Sequence, residues 1–319
     1  MKILKYTLLI LMLLIVGVFI YLKSQMSEAS TDKVNYASSE RIKADVDSIL
    51  NTEKPRNYEN MDALNQVAAY IYKSFSGVSD SISIQEYLVD GKTYKNIICS
   101  INIDKKERIV IGAHYDVCGD QDGADDNASG VAGMLELARL LKDKKLNYRI
   151  DFVAYTLEEP PYFASNKMGS YMHAKYLNDN KIQVKGMISL EMIGYFSDEE
   201  NSQEYPIPLL SALYGDKGNF IAIVKKFGAG DFANNISKEM LKNPSIRSLV
   251  FQGSRSMLGI DFSDHRNYWN FGYSSIMITN TAFFRNQNYH EETDKKETLD
   301  FEKCSLVINQ VYEALLKLE

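Results

Sequence analysis

Hydrophobic residues recur along the chain at spacings that predict which segments are helices. Residues 61–75 carry Leu64, Val67, Ala68 and Ile71, which lie on one face of a helix. Four further segments carry similar helical signals, namely 38–50, 129–141, 169–178 and 301–318. These segments are predicted to be helices.

Shorter apolar runs between these segments predict strands. Residues 81–89 and 94–103 flank the turn Asp90-Gly91-Lys92, which is typical of a hairpin. Nearly continuous apolar runs, typical of strands buried on both faces, occur at 108–112, 149–157, 186–192, 220–226 and 274–279. Strands that alternate with helices predict a single three-layer α/β domain, with a mixed, mostly parallel sheet covered by helices on both faces.

The first thirty residues predict a separate unit. An apolar run from 6 to 22 follows Lys2 and Lys5 and is closed by Lys23, which is short but sufficient for a membrane-spanning helix. No small-x-small cleavage signal follows it. We therefore expect an uncleaved transmembrane signal-anchor at 1–30, with the membrane as a partner, and a catalytic domain at 31–319 outside the cytoplasm. The alternative is a cleaved signal peptide and a secreted domain.

Composition excludes some classes of function. The chain has 319 residues and a formal net charge of −6, without a block of Lys and Arg that would follow a phosphate backbone, so nucleic acid is not an expected partner. Three cysteines argue against a disulfide scaffold in a domain of this size. Cys118 lies two residues after Asp116, but no second cysteine stands at the spacing of a thiolate metal site.

Histidine and carboxylate residues follow several of the predicted strands. Ligands of open α/β sheets collect at the carboxyl ends of the strands, so these side chains are expected to meet at one edge of the sheet. The candidates are His114, Asp116, Asp125, Asp126, Glu158, Glu159, Glu191 and His290. Crowded acidic groups of this kind would repel one another unless cations neutralised them.

The residue types predict a hydrolase with two divalent cations. Two cations about 3.5–4 Å apart need a shared carboxylate, and each is expected to take an imidazole and a further carboxylate. A carboxylate that binds no metal can act as a general base toward an activated water. Asp116 is placed to orient the His114 imidazole.

The motifs Gly-Ala-His-Tyr-Asp, Gly-Ala-Asp-Asp-Asn-Ala-Ser-Gly, Glu-Glu and Tyr-His occur in this order. From about residue 90 to the end, the chain resembles the co-catalytic zinc aminopeptidases of the bacterial leucyl aminopeptidase and aminopeptidase Y type. Glutamate carboxypeptidase, glutaminyl cyclase and the transferrin receptor are relatives of that family. The resemblance implies two Zn²⁺ ions per chain, or other divalent cations, and peptides as substrates.

The resemblance also implies roles for individual residues. Asp125 would bridge the two metals and precede a cis peptide bond to Asp126. His114 and Glu159 would bind one metal, and His290 and Glu191 would bind the other. Glu158 would be the general base and Asp116 would support His114. Asp264 and His265 would lie near the substrate cleft or hold a loop. Glu191 stands where most relatives have aspartate.

Three functions follow from this resemblance. An aminopeptidase is favoured because both histidines, the bridging aspartate and the base are present. A glutaminyl cyclase would use a related framework with a single zinc ion as an acyltransferase. A non-catalytic binding domain of the same fold would have lost metal ligands.

Overall fold

Nine strands form one mixed sheet in the computed structural model, which describes residues 2–30, 34–242 and 244–318. In sheet order the strands are β1, β8, β7, β9, β6, β4, β5, β3 and β2. Their bounds are β1 Met26–Ser27, β2 Ser81–Val89, β3 Lys92–Ile101, β4 Arg108–His114, β5 Arg149–Tyr155, β6 Val184–Glu191, β7 Ile221–Lys226, β8 Ser248–Gly253 and β9 Ser275–Thr279.

Four strands at the centre of the sheet are parallel, and the strands next to them on either side pair with them antiparallel. Strands β5, β4, β6 and β9 run parallel as four neighbours, and β7 pairs parallel with β8. Strand β3 pairs antiparallel with both β2 and β5, β7 with β9, and β1 with β8. The tight β2–β3 turn allows only an antiparallel pair. The predicted mixed sheet is therefore confirmed. The prediction that it is mostly parallel was wrong, because the described strands form four parallel and four antiparallel pairs.

Helices cover both faces of the sheet. Their bounds are α1 Lys2–Ser24, α2 Ser39–Leu50, α3 Met61–Ser76, α4 Gly130–Leu141, α5 Gly169–Asp179, α6 Ser211–Tyr214, α7 Asp231–Lys242, α8 His265–Asn270 and α9 Phe301–Leu316. Ile109 and Ile111 of β4 belong to the hydrophobic core shared with α2, α3, α4, α7 and α9. Val110, which points to the opposite face, packs in a second core with Leu177 of α5 and Tyr268 of α8. The three-layer prediction is therefore confirmed.

The N-terminal segment differs from the prediction. None of the helices in the described ranges combines the length and apolar character needed to span a bilayer, so the predicted transmembrane helix is not supported. The residues after α1 join the sheet instead. Met26 and Ser27 pair with β8, and the Tyr21 hydroxyl lies 3.4 Å from the Gln252 side-chain oxygen.

The four central parallel strands end at one edge of the sheet. His114 is the last residue of β4 and Glu191 is the last residue of β6. Glu158 and Glu159 follow β5, and the loop after β9 leads to His290. An irregular helical turn, Ala124–Ser129, follows β4 and starts α4. This edge therefore collects side chains from five segments.

Candidate metal centre

Asp126 lies between two histidines. One of its carboxylate oxygens, Oδ1, is 3.3 Å from His114 Nε2, and the other, Oδ2, is 3.3 Å from His290 Nε2. Asp126 and His114 are almost completely buried, whereas the His290 side chain is 26% exposed. The arrangement therefore opens to solvent on the His290 side.

Three glutamates complete this group of side chains. Glu191 Oε2 is 3.5 Å from His114 Nε2, and Glu159 Oε2 is 3.1 Å from His290 Nε2. Glu158 Oε2 is 3.9 Å from His114 Nε2. We call these six residues the rim cluster: His114, Asp126, Glu158, Glu159, Glu191 and His290.

The position of Asp126 corrects the prediction for Asp125. The Asp125 carboxylate points away from both histidines and accepts hydrogen bonds from the Asn280 and Asn286 side chains and from the Gly194 backbone N–H. The cis peptide bond is Asp126–Asn127, so the prediction of a cis bond at Asp125–Asp126 was wrong. In this irregular turn, neighbouring residues do not alternate as they would in a strand, and the second aspartate is the one directed at the histidines.

The partners of the two outer glutamates also differ from the prediction. Glu191, expected beside His290, lies next to His114, and its Oε2 accepts a hydrogen bond of 2.6 Å from the Ser263 hydroxyl. Glu159, expected beside His114, lies closer to His290. The sheet order explains this exchange for Glu191, because β6 is the immediate neighbour of β4 and ends beside His114.

Asp294 holds the turn that presents Asp126. Its carboxylate accepts hydrogen bonds from the backbone N–H groups of Asp125 and Asp126, at 2.9 and 3.0 Å. Gly123 begins the turn with a φ of 61°, and a Cβ atom there would collide with the Asp126 carbonyl oxygen. Asp294 was not predicted as a site residue because it lies in an irregular loop without a motif.

Asp116 contacts both His114 and the Glu158-Glu159 pair. Its Oδ1 is 3.6 Å from His114 Nδ1. Its two oxygens accept hydrogen bonds from the backbone N–H groups of Glu158 and Glu159, at 3.3 and 3.2 Å. The carboxylate thereby fixes the backbone on which both glutamates stand. The place of Asp116 beside His114 was predicted from the sequence, but its contacts with Glu158 and Glu159 were not.

Asp264 and His265 are buried outside the rim cluster. The His265 Nε2 lies 2.8 Å from the Ile260 carbonyl oxygen, and its ring packs edge-on against Trp269 with centroids 4.5 Å apart. Burial lowers the pKa of His265 to about 3, so the ring is neutral and holds the loop before α8. Burial raises the pKa of Asp264 to about 7.

Burial and crowding shift the pKa values of the rim carboxylates upward. Burial, followed by the charge of Asp126, raises the pKa of Glu159 to about 8. The pKa of Glu158 is raised well above its usual range by burial and by the charges of Glu159 and Glu191. Asp126 is the exception, because the two histidines overcome the effect of burial and hold its pKa below its usual range. The nearby carboxylates in turn raise the pKa of His114 despite its burial.

The donor set fits divalent cations. His114, Asp126 and Glu191 place one ligand atom each within 4.8 Å of one another, as do His114, Glu158 and Glu159. Glu159 Oε1 is buried without a hydrogen-bond partner among the residues that the structure describes, and such atoms are rare in folded proteins. Imidazole and carboxylate are the ligand types of zinc and of neighbouring divalent metals.

The fold and this cluster define the class of the protein: a mixed α/β domain with a candidate metal centre at the carboxyl ends of its parallel strands, as in metal-dependent hydrolases. The chain belongs to Peptidase family M28, whose model matches residues 96–314. This match includes every member of the rim cluster. The family supports a hydrolase of the metal-dependent peptidase type.

The chain is also similar to individual proteins. The chain is 39% identical over 284 residues to the uncharacterized protein YfbL of Escherichia coli, covering 86% of this chain and 87% of that protein. It is 25% identical over 236 residues to leucine aminopeptidase 1 of Ajellomyces capsulatus, and this match covers 68% of the chain and 55% of the fungal protein. The chain thus spans about half the length of that relative.

Solved structures show the same fold. The LapA aminopeptidase of Legionella pneumophila superimposes with a TM-score of 0.69 at 19% identity, covering 89% of this chain and 71% of that chain. The glutaminyl cyclase of Bacteroides thetaiotaomicron superimposes with a TM-score of 0.68 at 18% identity, covering 90% of this chain and 100% of that chain. Because enzymes with different names share this fold, the site residues must decide the reaction.

Proposed function

We propose that the protein is a metal-dependent aminopeptidase that removes N-terminal residues from peptides. The observation that carries this proposal is Asp126, whose two carboxylate oxygens each lie 3.3 Å from a different histidine. A carboxylate in this position can bind two neighbouring cations and offset their mutual repulsion. Membership of Peptidase family M28 supports the same class of reaction.

The rim cluster divides into two sets of metal ligands. His114 and Glu191 would hold one Zn²⁺ ion, His290 and Glu159 would hold the other, and Asp126 would bridge them. When bound, the cations would supply a Lewis acid for the peptide carbonyl and lower the pKa of a bound water molecule. A single-zinc glutaminyl cyclase needs only one set, and a non-catalytic domain needs none, so two complete sets favour the peptidase.

Glu158 is the proposed general base. Its carboxylate lies beside His114, and its backbone is fixed by the Asp116 carboxylate. With cations bound at the neighbouring side chains, the Glu158 carboxylate would be ionised and could accept a proton from the attacking water. Glu158 then delivers this proton to the nitrogen of the leaving amine. The peptide bond breaks, and the free amino acid and the shortened peptide are released.

A cavity beside Glu191 supports a preference for apolar N-terminal residues. The cavity measures about 220 Å³ and is lined mainly by apolar side chains, among them Met257, Leu258, Phe262 and Met277. Tyr21 and Leu22, at the end of α1, also line it. Apolar walls favour an apolar side chain of the substrate and disfavour a charged one, which would lose its hydration on entry.

The proposal is tested with the full-length protein, because residues near position 21 line the cavity. With two equivalents of Zn²⁺, we expect hydrolysis of leucyl-nitroanilide at least about tenfold faster than of alanyl-nitroanilide, and very little hydrolysis of aspartyl-nitroanilide. Elemental analysis should find two metal ions per chain. Cyclisation of N-terminal glutamine without peptide hydrolysis, or one metal ion per chain at saturation, would contradict the proposal.

A further inference from the structure

A cysteine lies beside one half of the rim cluster. The Cys118 sulfur, one carboxylate oxygen of Glu159 and one ring nitrogen of His290 all lie within 4.8 Å of one another. In the described part of the chain, the candidate metal-binding groups that include His114 contain no sulfur. The two histidines therefore stand in chemically different surroundings.

We propose that Cys118 is a thiolate ligand of the metal ion held by His290, Glu159 and Asp126. That half of the centre then has four protein donors, whereas the His114 half has three: His114, Glu191 and Asp126. This inference rests on the proposed function, because it takes the rim cluster to be a two-metal centre.

The geometry suits a sulfur donor. Zinc binds sulfur at about 2.3 Å and nitrogen or oxygen at about 2.0–2.2 Å, so tetrahedral ligands lie roughly 3.4–3.6 Å apart. Separations within 4.8 Å need only small side-chain adjustments to reach these values. Glu159 is 96% buried, and its Oε1 has no hydrogen-bond partner within the described ranges, which independently indicates that a ligand completes this half.

Buried groups hold the backbone on both sides of Cys118. The Val117 N–H donates to the Arg56 carbonyl oxygen at 3.3 Å, and the Asn57 amide donates to the Gly119 carbonyl oxygen at 2.7 Å. Arg56 and Asn57 are themselves only 2% and 4% exposed. The thiol is therefore presented by an anchored loop, and His290 is stacked on Tyr289 with ring centroids 3.8 Å apart.

The ligands of the His290 half and of the His114 half would give their two metal ions different functions. When the metal binds, the Cys118 S–H bond breaks, a sulfur–metal bond forms and the proton leaves to solvent. Sites with four protein ligands hold metals structurally, whereas sites with three keep a position for water or substrate. The His290 half would thus retain its metal more tightly and select thiophilic ions, and the His114 half would receive the substrate.

Cobalt substitution of the full-length protein tests this inference without measuring activity. Thiolate bound to Co²⁺ gives an intense near-ultraviolet charge-transfer band, and the visible bands of Co²⁺ report whether the ion is bound at all. The comparison uses wild type, Cys118→Ser and the control Cys304→Ala, which removes a buried thiol of α9. Circular dichroism checks that each variant is folded.

We expect the charge-transfer band in wild type and in Cys304→Ala and its loss in Cys118→Ser. One of the two ions in Cys118→Ser should also bind at least about tenfold more weakly in a chelator competition. Two bound Co²⁺ ions without the band in wild type, or a band that persists in Cys118→Ser, would overturn the role of Cys118 and leave the two-metal centre intact. Wild type that binds no Co²⁺ would overturn both.

Discussion

Two groups of buried carboxylates in this protein are neutralised in different ways. Between α2 and α4, Arg139 binds Asp45 through two hydrogen bonds of 2.6 and 2.9 Å, and Arg41 binds Glu136 through hydrogen bonds of 2.8 and 2.5 Å. We call these four residues the arginine-paired cluster. In the rim cluster, the ion pairs recorded among the described residues are formed only with histidine.

The pKa values show the consequence of this difference. Burial alone would raise the pKa of Glu136, but the hydrogen bond from Arg41 holds it below its usual range. In the rim cluster, burial and like charges raise the pKa values of Glu158, Glu159 and Glu191. Buried carboxylates without enough positive charge indicate that cations are to be added. The rim cluster thus fits the addition of cations, whereas Arg41 and Arg139 already neutralise the carboxylates of the arginine-paired cluster.

Removing a carboxylate from each cluster gives the largest contrast. We expect Glu158→Gln to reduce kcat by about 10²–10⁴-fold, because the amide cannot accept the proton of the attacking water. Metal content should stay at the wild-type value, since Glu158 is not a proposed ligand. Glu136→Gln is the matched control and should keep wild-type kcat. Near-wild-type turnover by Glu158→Gln would remove Glu158 from the role of base.

Chelation should destabilise the protein in a pH-dependent manner. A metal ion whose free concentration is 1,000 times its Kd stabilises the folded state by about 4 kcal/mol, and chelation removes this contribution. In the chelated protein, the raised pKa of Glu159 gives stability that is fully present below its unfolded pKa of about 4.3 and is lost as the pH rises toward 8. The raised pKa of His114 acts in the same direction at higher pH.

The measurement is thermal unfolding from pH 5 to pH 8, with zinc and with chelator. We expect the difference in Tm between the two samples to widen with pH, because the metal ions replace protons on the same side chains. If the chelated sample had the same Tm as the zinc-bound protein at every pH, the rim cluster would not bind metal.

The sequence predicted the elements that carry the rim cluster better than it predicted the contacts within it. Helices at 61–75 and 169–178 and strands at 108–112 and 186–192 correspond to α3, α5, β4 and β6 within a few residues. Their apolar runs and helical spacings are strong signals because they reflect burial against the sheet. Helix α7 was not predicted, although Phe232, Ile236 and Met240 lie four residues apart and are buried on one face.

Contacts that depend on irregular backbone could not be predicted. Asp125 and Asp126 are adjacent, and only the conformation of the Ala124–Ser129 turn determines which of them faces the histidines. The approach of Glu159 to His290 depends on a long loop after β9 that has no periodic pattern. Strand β1 contains two residues, too few for any pattern, and so its pairing with β8 was missed.

The smallest effect is expected in the arginine-paired cluster. Glu136→Gln should lower the free energy of unfolding by about 1.5–3 kcal/mol at pH 7, since hydrogen bonds between charged groups are lost. The lower half of this range is favoured because the Arg41 side chain is 51% exposed and regains hydration. The lowered pKa of Glu136 gives stability above its unfolded pKa of about 4.3 that is lost as the pH falls. Urea unfolding at pH 7 and pH 4 should therefore show a smaller difference between variant and wild type at pH 4. The same mutation should leave the effect of chelation on Tm unchanged, and a variant that altered it would show that the two clusters are coupled.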